Sequence, residues 1–414
     1  MTKLAVIADD LTGAADAALP FARDGGAASV TTNAIELGRL LAQDTVVGVD
    51  LGTRRAASPL AYVAMFAACQ EALRAGAIPY KKVDSQLRGK PGLEVGAALD
   101  AWPEAIAIVA PTLPQMGRVV RDGRLQGPGL APIEMAEVFS GPWRGELARV
   151  GLPELAPGAL RNRLESLASG SVLLADAQCQ EDLMALVGAV WGAGRAVLWV
   201  GAAGLSSALV AHLHAAGSVG STTTLSSDAP AQSARLGPQL RDSRGVLVVV
   251  ATQEKVGRAQ LKALTRWTGA VVSEIVLEQG AVASWMARDR PALQARLRAG
   301  EVVALCSSWP GLGMAEHDDH AKLVANAAGA LVASVGALDL VATGGQTARF
   351  LLDAIGEQSC RILGEVGPGM PLMRTRGQGF GLVTKAGSFG TENSLVEAVE
   401  AVRSWRSGQL AKGH

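Results

Sequence analysis

Short apolar runs recur along most of this chain, each closing in small, acidic or hydroxyl residues and each followed by a helix-patterned stretch. Leu4–Ala8, Val46–Val49, Ile78–Val83, Ile106–Val109, Val172–Ala175 and Ala196–Val200 read as strands, with helices such as Leu60–Ala75 and Glu181–Ala193 between them. Such alternation indicates parallel βαβ units. Right-handed crossovers then bring the carboxyl ends of the strands to a common edge, where α/β proteins bind ligands. The segment from Gly217 to Gly245 is rich in Ser, Thr, Gly and Pro, lacks periodicity and reads as a linker. A second series of strand-like runs follows, at 245–252, 270–277, 301–308, 337–347, 361–365 and 379–390. The expected architecture is therefore α/β, with two α/β domains of mainly parallel sheet, residues 1–225 and 240–414, and an active site in the cleft between them. A length of 414 residues is too long for one ordinary core and suits two.

Composition narrows the function classes. Lys plus Arg equals Asp plus Glu at 38 each, so no global field points to nucleic acid or an anionic membrane. Aromatics at 4% argue against a stacking platform for single strands. No apolar run reaches the roughly 18 residues of a membrane span. Cys69, Cys179, Cys306 and Cys360 lack metal-ligand spacing and read as buried free thiols, and Lys3 leads straight into a strand-like run, so a cytoplasmic chain is expected. The His-Asp-Asp-His stretch at 317–320 reads as a solvated helix start.

Two stretches of the first half concentrate chemistry. ADDLTGA, from Ala8 to Ala14, ends a strand with Asp9 and Asp10, and YKKVDSQLRGK, from Tyr80 to Lys90, ends another with Lys82, Asp84, Ser85 and Arg88. Asp10 is a natural cap for the helix that follows, but two adjacent carboxylates exceed capping needs. The strand from Val46 delivers Arg54 and Arg55 to the same edge, where a guanidinium could hold a substrate carboxylate bidentately. Two Asp groups, a Lys and an Arg at one edge suit a small, polar, anionic substrate.

In the second half LVATGGQTARFLL, residues 340–352, runs from a strand through two glycines into a helix. Gly lets the backbone approach a ligand closely, and the free N–H groups of a helix start attract anions. Thr347 adds a hydroxyl for a phosphate oxygen or a metal-bound water. Thr252 at a strand tip, the Gly/Pro loop from Glu365 to Pro371 and VTKAGSFG from Val383 to Gly390 could complete one nucleotide site. Neither GxxxxGK[ST] nor a GxGxxG after a strand occurs, which weakens P-loop and dinucleotide readings.

These motifs resemble those of the four-carbon acid sugar kinase family. The family's ADD-[FL]-TGA matches Ala8–Ala14, its K-[IV]-DS-x-LRG matches Lys82–Gly89, and its proline-glycine-arginine stretch is similar to Pro111–Gly123. GAAGL at Gly201–Leu205 stands where the family has GSAGL, TGG-x-TA matches Thr343–Ala348, and K-x-G-x-FG matches Lys385–Gly390. The chain departs from the family at Ala251-Thr252 (usually Gly-Ser), at Gln86 (usually Thr) and at Gly367 (usually Glu). The resemblance implies a sugar-acid-binding domain followed by a nucleotide-binding domain. It implies substrate contacts at Asp10, Arg54 and Lys82 to Ser85, and ATP contacts at Thr252, Gly344, Gly345, Gln346, Thr347 and Gly387. The expected reaction is ATP- and Mg²⁺-dependent phosphorylation of a hydroxyl, the terminal one expected, on threonate, erythronate or a 3-oxo-tetronate. Asp9, Arg54, Lys82, Ser85 and Arg88 would bind the acid, and Asp10 or Asp84 would take the hydroxyl proton. The sequence does not separate those two, and names no Mg²⁺ ligands. Rival readings are a kinase for another short aldonic acid, a dehydrogenase or aldolase on the same acids, and a sugar-acid sensor that binds ATP without turnover. A homodimer is expected, with no nucleic-acid or membrane partner.

Overall fold

The computed structural model describes residues 2–23, 26–215, 244–252, 255–275, 281–307, 317–387 and 389–408, which fall into two compact units, Met1–Thr222 and Thr223–His414. Apart from its last two residues, the expected linker at 217–245 lies outside the described residues.

In unit 1 the strands are β1 (Lys3–Ala8), β2 (Ala28–Thr31), β3 (Val46–Asp50), β4 (Ala77–Lys82), β5 (Ile106–Ala110), β6 (Val119–Arg121), β7 (Arg124–Gly127), β8 (Leu130–Glu134), β9 (Leu147–Val150), β10 (Val172–Ala175) and β11 (Val197–Gly201). The helices are α1 (Leu11–Arg23), α2 (Leu37–Leu41), α3 (Ser58–Arg74), α4 (Pro91–Ala101), α5 (Met135–Val138), α6 (Pro157–Ser166), α7 (Gln180–Gly192) and α8 (Ala203–Ala215). Eight strands form a parallel sheet in the order β2-β3-β1-β4-β11-β5-β10-β9. The near-continuous apolar runs follow from burial on both faces, which parallel sheets require. Ile7, Val47, Val49, Ala107, Val109 and Leu198 face a core shared with Met65, Ala68 and Val95 of α3 and α4. The short strands β6-β7-β8 form a separate antiparallel meander inserted between β5 and β9.

Unit 2 holds β12 (Gly245–Val250), α9 (Lys255–Thr268), β13 (Val271–Ile275), α10 (Ala281–Arg288), α11 (Arg290–Arg298), β14 (Val302–Ser307), α12 (His317–Val335), β15 (Leu338–Thr343), α13 (Gly345–Ala354), β16 (Ser359–Gly367), β17 (Met370–Thr375), β18 (Gly381–Lys385) and α14 (Ser394–Arg406). The strand order is β13-β14-β12-β15-β18-β17-β16, parallel from β13 to β18, with β17 antiparallel to both its neighbours. The Gly/Pro loop from Glu365 to Pro371 is thus a hairpin turn rather than a strand-to-helix loop: Gly367 faces Met370, and Gly369 has φ +69°. Pro then Gly at the two central positions is the sequence such a turn favours.

Among the described residues no helix is long and apolar enough to cross a membrane. Cys69, Cys306 and Cys360 are buried free thiols and Cys179 is half-buried. The His-Asp-Asp-His stretch opens α12 as expected, but His320 is buried rather than solvated.

Candidate active site

The register of the unit 1 sheet sets the first cluster. Ala8 pairs with Asp50, Ile7 with Lys81, and Lys82 with Gly201, so β1, β3 and β4 end level with one another. The residues just beyond those ends meet. Arg54 grips Asp9 with both arms of its fork, Nε to Oδ2 at 2.9 Å and Nη2 to Oδ1 at 2.9 Å, and donates Nη1 to Asp10 Oδ2 at 2.8 Å. Its Nη2 also stands 3.5 Å from Asp84 Oδ2. Arg88 holds Asp84 through Nε (2.9 Å) and Nη2 (2.7 Å). Lys82 donates Nζ to the Val83 carbonyl at 2.8 Å and lies within reach of Asp10 across Gly13. Ser85 sits half-buried in the turn between Asp84 and Arg88. All seven residues expected for the acid site therefore gather at one edge.

Local backbone chemistry explains the arrangement. Asp10 Oδ1 accepts from Gly13 N–H at 2.8 Å, so Asp10 does cap α1 as well as facing Arg54. Gly13 leaves the room for this, since a Cβ there would lie 2.6 Å from Asp10 Oδ1. Gly89, at φ +92°, brings the chain past Asp9 where a Cβ would lie 2.8 Å from Oδ2. Asp84 Oδ1 accepts from Gln86 N–H at 2.9 Å, the short local bond that makes Asp a turn former.

The three carboxylates are not equivalent. Burial pushes Asp9 up, but the Arg54 guanidinium and the Lys81 ammonium outweigh it and hold the carboxyl below its usual range. Burial likewise opposes ionisation of Asp84, and the hydrogen bonds from Arg88 together with the charge of Arg54 more than reverse it. Asp10 goes the other way. Its burial raises it, Arg54 offsets this only in part, and the neighbouring Asp9 adds to the rise.

Arg54 was expected to offer its fork to a substrate carboxylate, but that fork is closed on Asp9. The sequence also passed over Lys81, which alternation turns away from Lys82. Its Nζ lies 2.7 Å from Glu94 Oε2 in a pair that is buried on both sides, and Thr53 donates to the other Glu94 oxygen at 2.6 Å. This pair supports the cluster from the core side, and a Lys inside a strand facing a Glu on the first turn of α4 was its only sequence signal.

Unit 2 gathers the second set. β12, β15 and β18 are adjacent, with Val250 beside Thr343 and Thr343 beside Lys385. Gly344 takes φ +92° as the N-cap of α13, a conformation that any side chain would strain. Its N–H donates to the Lys385 carbonyl at 2.7 Å, and no side chain caps the helix. The first N–H groups of a helix have no intrahelical partner, so the start of α13 at Gly345, Gln346 and Thr347 is suited to an anion. A Cβ on Gly387 would stand 2.7 Å from Thr252 Oγ1, so these two loops touch only because Gly is there. The Lys385 side chain is 1% exposed, and its Nζ donates to the carbonyls of Ala386 (2.9 Å), Gly387 (3.4 Å) and Phe389 (2.9 Å). Gln260 of α9 ties Phe389 and Thr391 from the other side, at 3.2 and 2.8 Å. Burial pushes Lys385 down to about 8. The expected nucleotide residues are brought together, with Lys385 and Gln260 as the unforeseen clamps of their last loop. Among the described residues no group of three or more His, Cys, Asp or Glu forms a metal site.

Two mainly parallel-sheet units, one with a carboxylate–guanidinium cluster and one with a glycine-lined helix start, match a two-domain class of protein with a sugar-binding and a nucleotide-binding domain. Residues 4–209 match a sugar-binding N-terminal domain and residues 247–395 a nucleotide-binding C-terminal domain. The chain is 32% identical to a D-threonate kinase of Bordetella bronchiseptica, over 97% of this chain and 98% of that one. It is 29% identical to a 3-oxo-tetronate kinase of Methylobacterium radiotolerans, over 96% and 98%. A crystal structure of a Salmonella typhimurium LT2 protein shares the fold with a TM-score of 0.71 at 19% identity, covering 96% of this chain and 99% of that chain. The chain belongs to the four-carbon acid sugar kinase family.

Proposed function

We propose that the protein transfers the γ-phosphoryl group of ATP to a hydroxyl of a four-carbon sugar acid, with D-threonate the first candidate because relatives over the whole chain act on it by name. The observation that carries the reading is the carboxylate–guanidinium cluster at the unit 1 sheet edge together with the glycine-lined, uncapped start of α13 in unit 2. Three carboxylates share one edge, yet two are held down by guanidinium groups and one is raised by burial. Pairs of titratable groups pushed apart in this way mark acid–base roles. Asp10 is therefore the group that accepts the proton of the attacking hydroxyl, and Asp84 stays ionised and positions Arg88. Lys82 stands beside Asp10 to bind substrate oxygens. Arg54 is a positioning residue that fixes Asp9 and Asp10, with bidentate binding of the acid requiring Asp9 to let go.

The residues of unit 2 fit a nucleotide. The uncapped start of α13 and the Thr252 and Thr347 hydroxyls suit phosphate oxygens, and the contact between Gly387 and Thr252 forms a cradle that a Cβ would fill. ATP would supply the phosphoryl group when bound, and Mg²⁺ would offset the phosphate charge. An assay of ADP release with Mg·ATP and D- and L-threonate, D- and L-erythronate and the 3-oxo-tetronates tests the reading. Acid-dependent ADP formation with one of them supports it. ADP formation independent of every acid, or none at all while ATP still raises the melting temperature, would overturn it.

A further inference from the structure

Arg118 is a buried residue whose Nη1 has no hydrogen-bond partner among the described residues. It follows Gly117, at φ +63°, and is held by a two-way backbone bridge with Leu113, at 2.8 and 3.1 Å. The residue is 9% exposed, and its Nη1 is buried with no hydrogen-bond partner. Among the described residues no hydrogen bond or ion pair reaches its guanidinium. The side chain lies along Gly127 of β7, where a Cβ would stand 2.8 Å from Cδ and 3.3 Å from Nη1. The other basic groups of the edge are engaged: Arg54 on Asp9 and Asp10, Arg88 on Asp84, Lys81 on Glu94, and Lys82 on a carbonyl. Asp9, Asp10 and Asp84 are matched by Arg54, Lys82 and Arg88, three against three, and none of those carboxylates pairs with Arg118.

An unpaired buried charge destabilises a fold, and an oxyanion brought by a ligand would offset it. The sheet register places it. Lys82, Gly201 and Ala110 lie in one row across β4, β11 and β5, and the chain runs from Ala110 through Pro111 and Thr112 to Leu113. The loop that carries Arg118 thus leaves the same carboxyl edge as the loop that carries Asp84. Two strand spacings separate β4 from β5, about 10 Å, within the scale of a small-molecule site.

We propose that Arg118 is an oxyanion receptor, taking a carboxylate or a phosphoryl group in a subsite on the β5 side of the acid cluster. The subsite stands on geometry alone; which oxyanion enters rests on the phosphotransferase reading. The test uses the full chain with Arg118→Met and Arg118→Lys. A structural arginine would lower the ligand-free melting temperature when replaced, whereas the Met variant is expected to melt at or above wild type. Calorimetric titration without nucleotide then reads D-threonate and inorganic phosphate separately. A loss of tenfold or more with Arg118→Met, partly restored by Arg118→Lys, is expected for one of them. Loss confined to D-threonate assigns the carboxylate, and loss confined to phosphate assigns the phosphoryl group. Affinities within twofold of wild type for both ligands, a melting temperature well below wild type, or a wild type that binds neither ligand would each overturn the subsite. If wild type turns over no acid but Arg118→Met still loses phosphate, the subsite stands and the kinase reading falls. If wild type turns over and the Met variant keeps its KM and kcat, the subsite alone falls.

Discussion

Replacing Arg54 by Met removes the cation that three carboxylates share. Arg54 is 23% exposed in its side chain, while the Asp9 carboxylate it grips is 4% exposed, so the variant leaves a nearly buried anion without its main partner. Breaking such a pair from one side typically costs ~3–5 kcal/mol at neutral pH. For a unit of roughly this size that corresponds to a fall of ~6–20 °C in melting temperature. The pH dependence provides an internal check. In wild type the lowered Asp9 contributes stability that is present above its unfolded value and is lost as pH falls. In the variant Asp9 is no longer held down, so its penalty exists only while it is charged and is relieved by protonation. The stability gap between the two proteins is therefore largest near pH 7 and narrows by pH 4.5. Chemical denaturation at both values, fitted to the unit 1 transition, reads it. A cost below about 1 kcal/mol at pH 7, or a gap that widens on acidification, would refute the reasoning.

Other consequences are equally accessible. Asp10→Asn is expected to lower kcat by ~10²–10⁴-fold, the range for loss of a general base, with Asp84→Asn costing less in kcat; near-normal kcat in Asp10→Asn would remove it as the base. Because Asp10 is raised, the acid limb of kcat/KM is expected above the ordinary carboxylate range and should vanish in that variant, as a pH–rate profile would show. Gly387→Ala should raise the KM for ATP with little change in that for the acid, since its Cβ would stand 2.7 Å from Thr252 Oγ1. Lys385, pushed down to about 8, binds fewer protons folded than unfolded between that value and 10.5, so its contribution to unit 2 stability rises with pH across this window. Relative to Lys385→Met, wild type is expected to gain roughly 1.5 kcal/mol between pH 8 and 9.5, and a flat or falling difference would contradict the burial of its ammonium.

The regular parts of the fold were legible because parallel strands carry their own punctuation. The run at Val172–Ala175 is the strand β10, and those around Leu4 and Val46 miss by a residue at one end. The elements that escaped are short or half-polar. Ala28–Thr31 and Leu147–Val150 break their four residues with Ser29 and Thr31 or with Arg149, unlike the all-apolar Val172–Ala175 of the same length. The β6-β7-β8 meander mixes Arg, Gln and Glu into its strands, although its Asp122-Gly123 turn, with φ of +51° and +72°, is the familiar type I′ hairpin signal. The acid cluster was legible because its members sit at strand ends, where the topology collects them. The partners within it were not. Whether Arg54 meets a ligand or Asp9 depends on the distance between two loops 45 residues apart, which no local pattern encodes. The same holds for Lys385, whose ammonium turns back onto its own loop.

Phosphorus NMR of D-threonate incubated with Mg·ATP tests the central claim most directly, run with wild type and with Asp10→Asn side by side. A new phosphate-ester resonance that grows in step with ADP for wild type and is nearly lost in Asp10→Asn is the expected result. Release of inorganic phosphate without an ester, or an ester formed equally fast by Asp10→Asn, would contradict it.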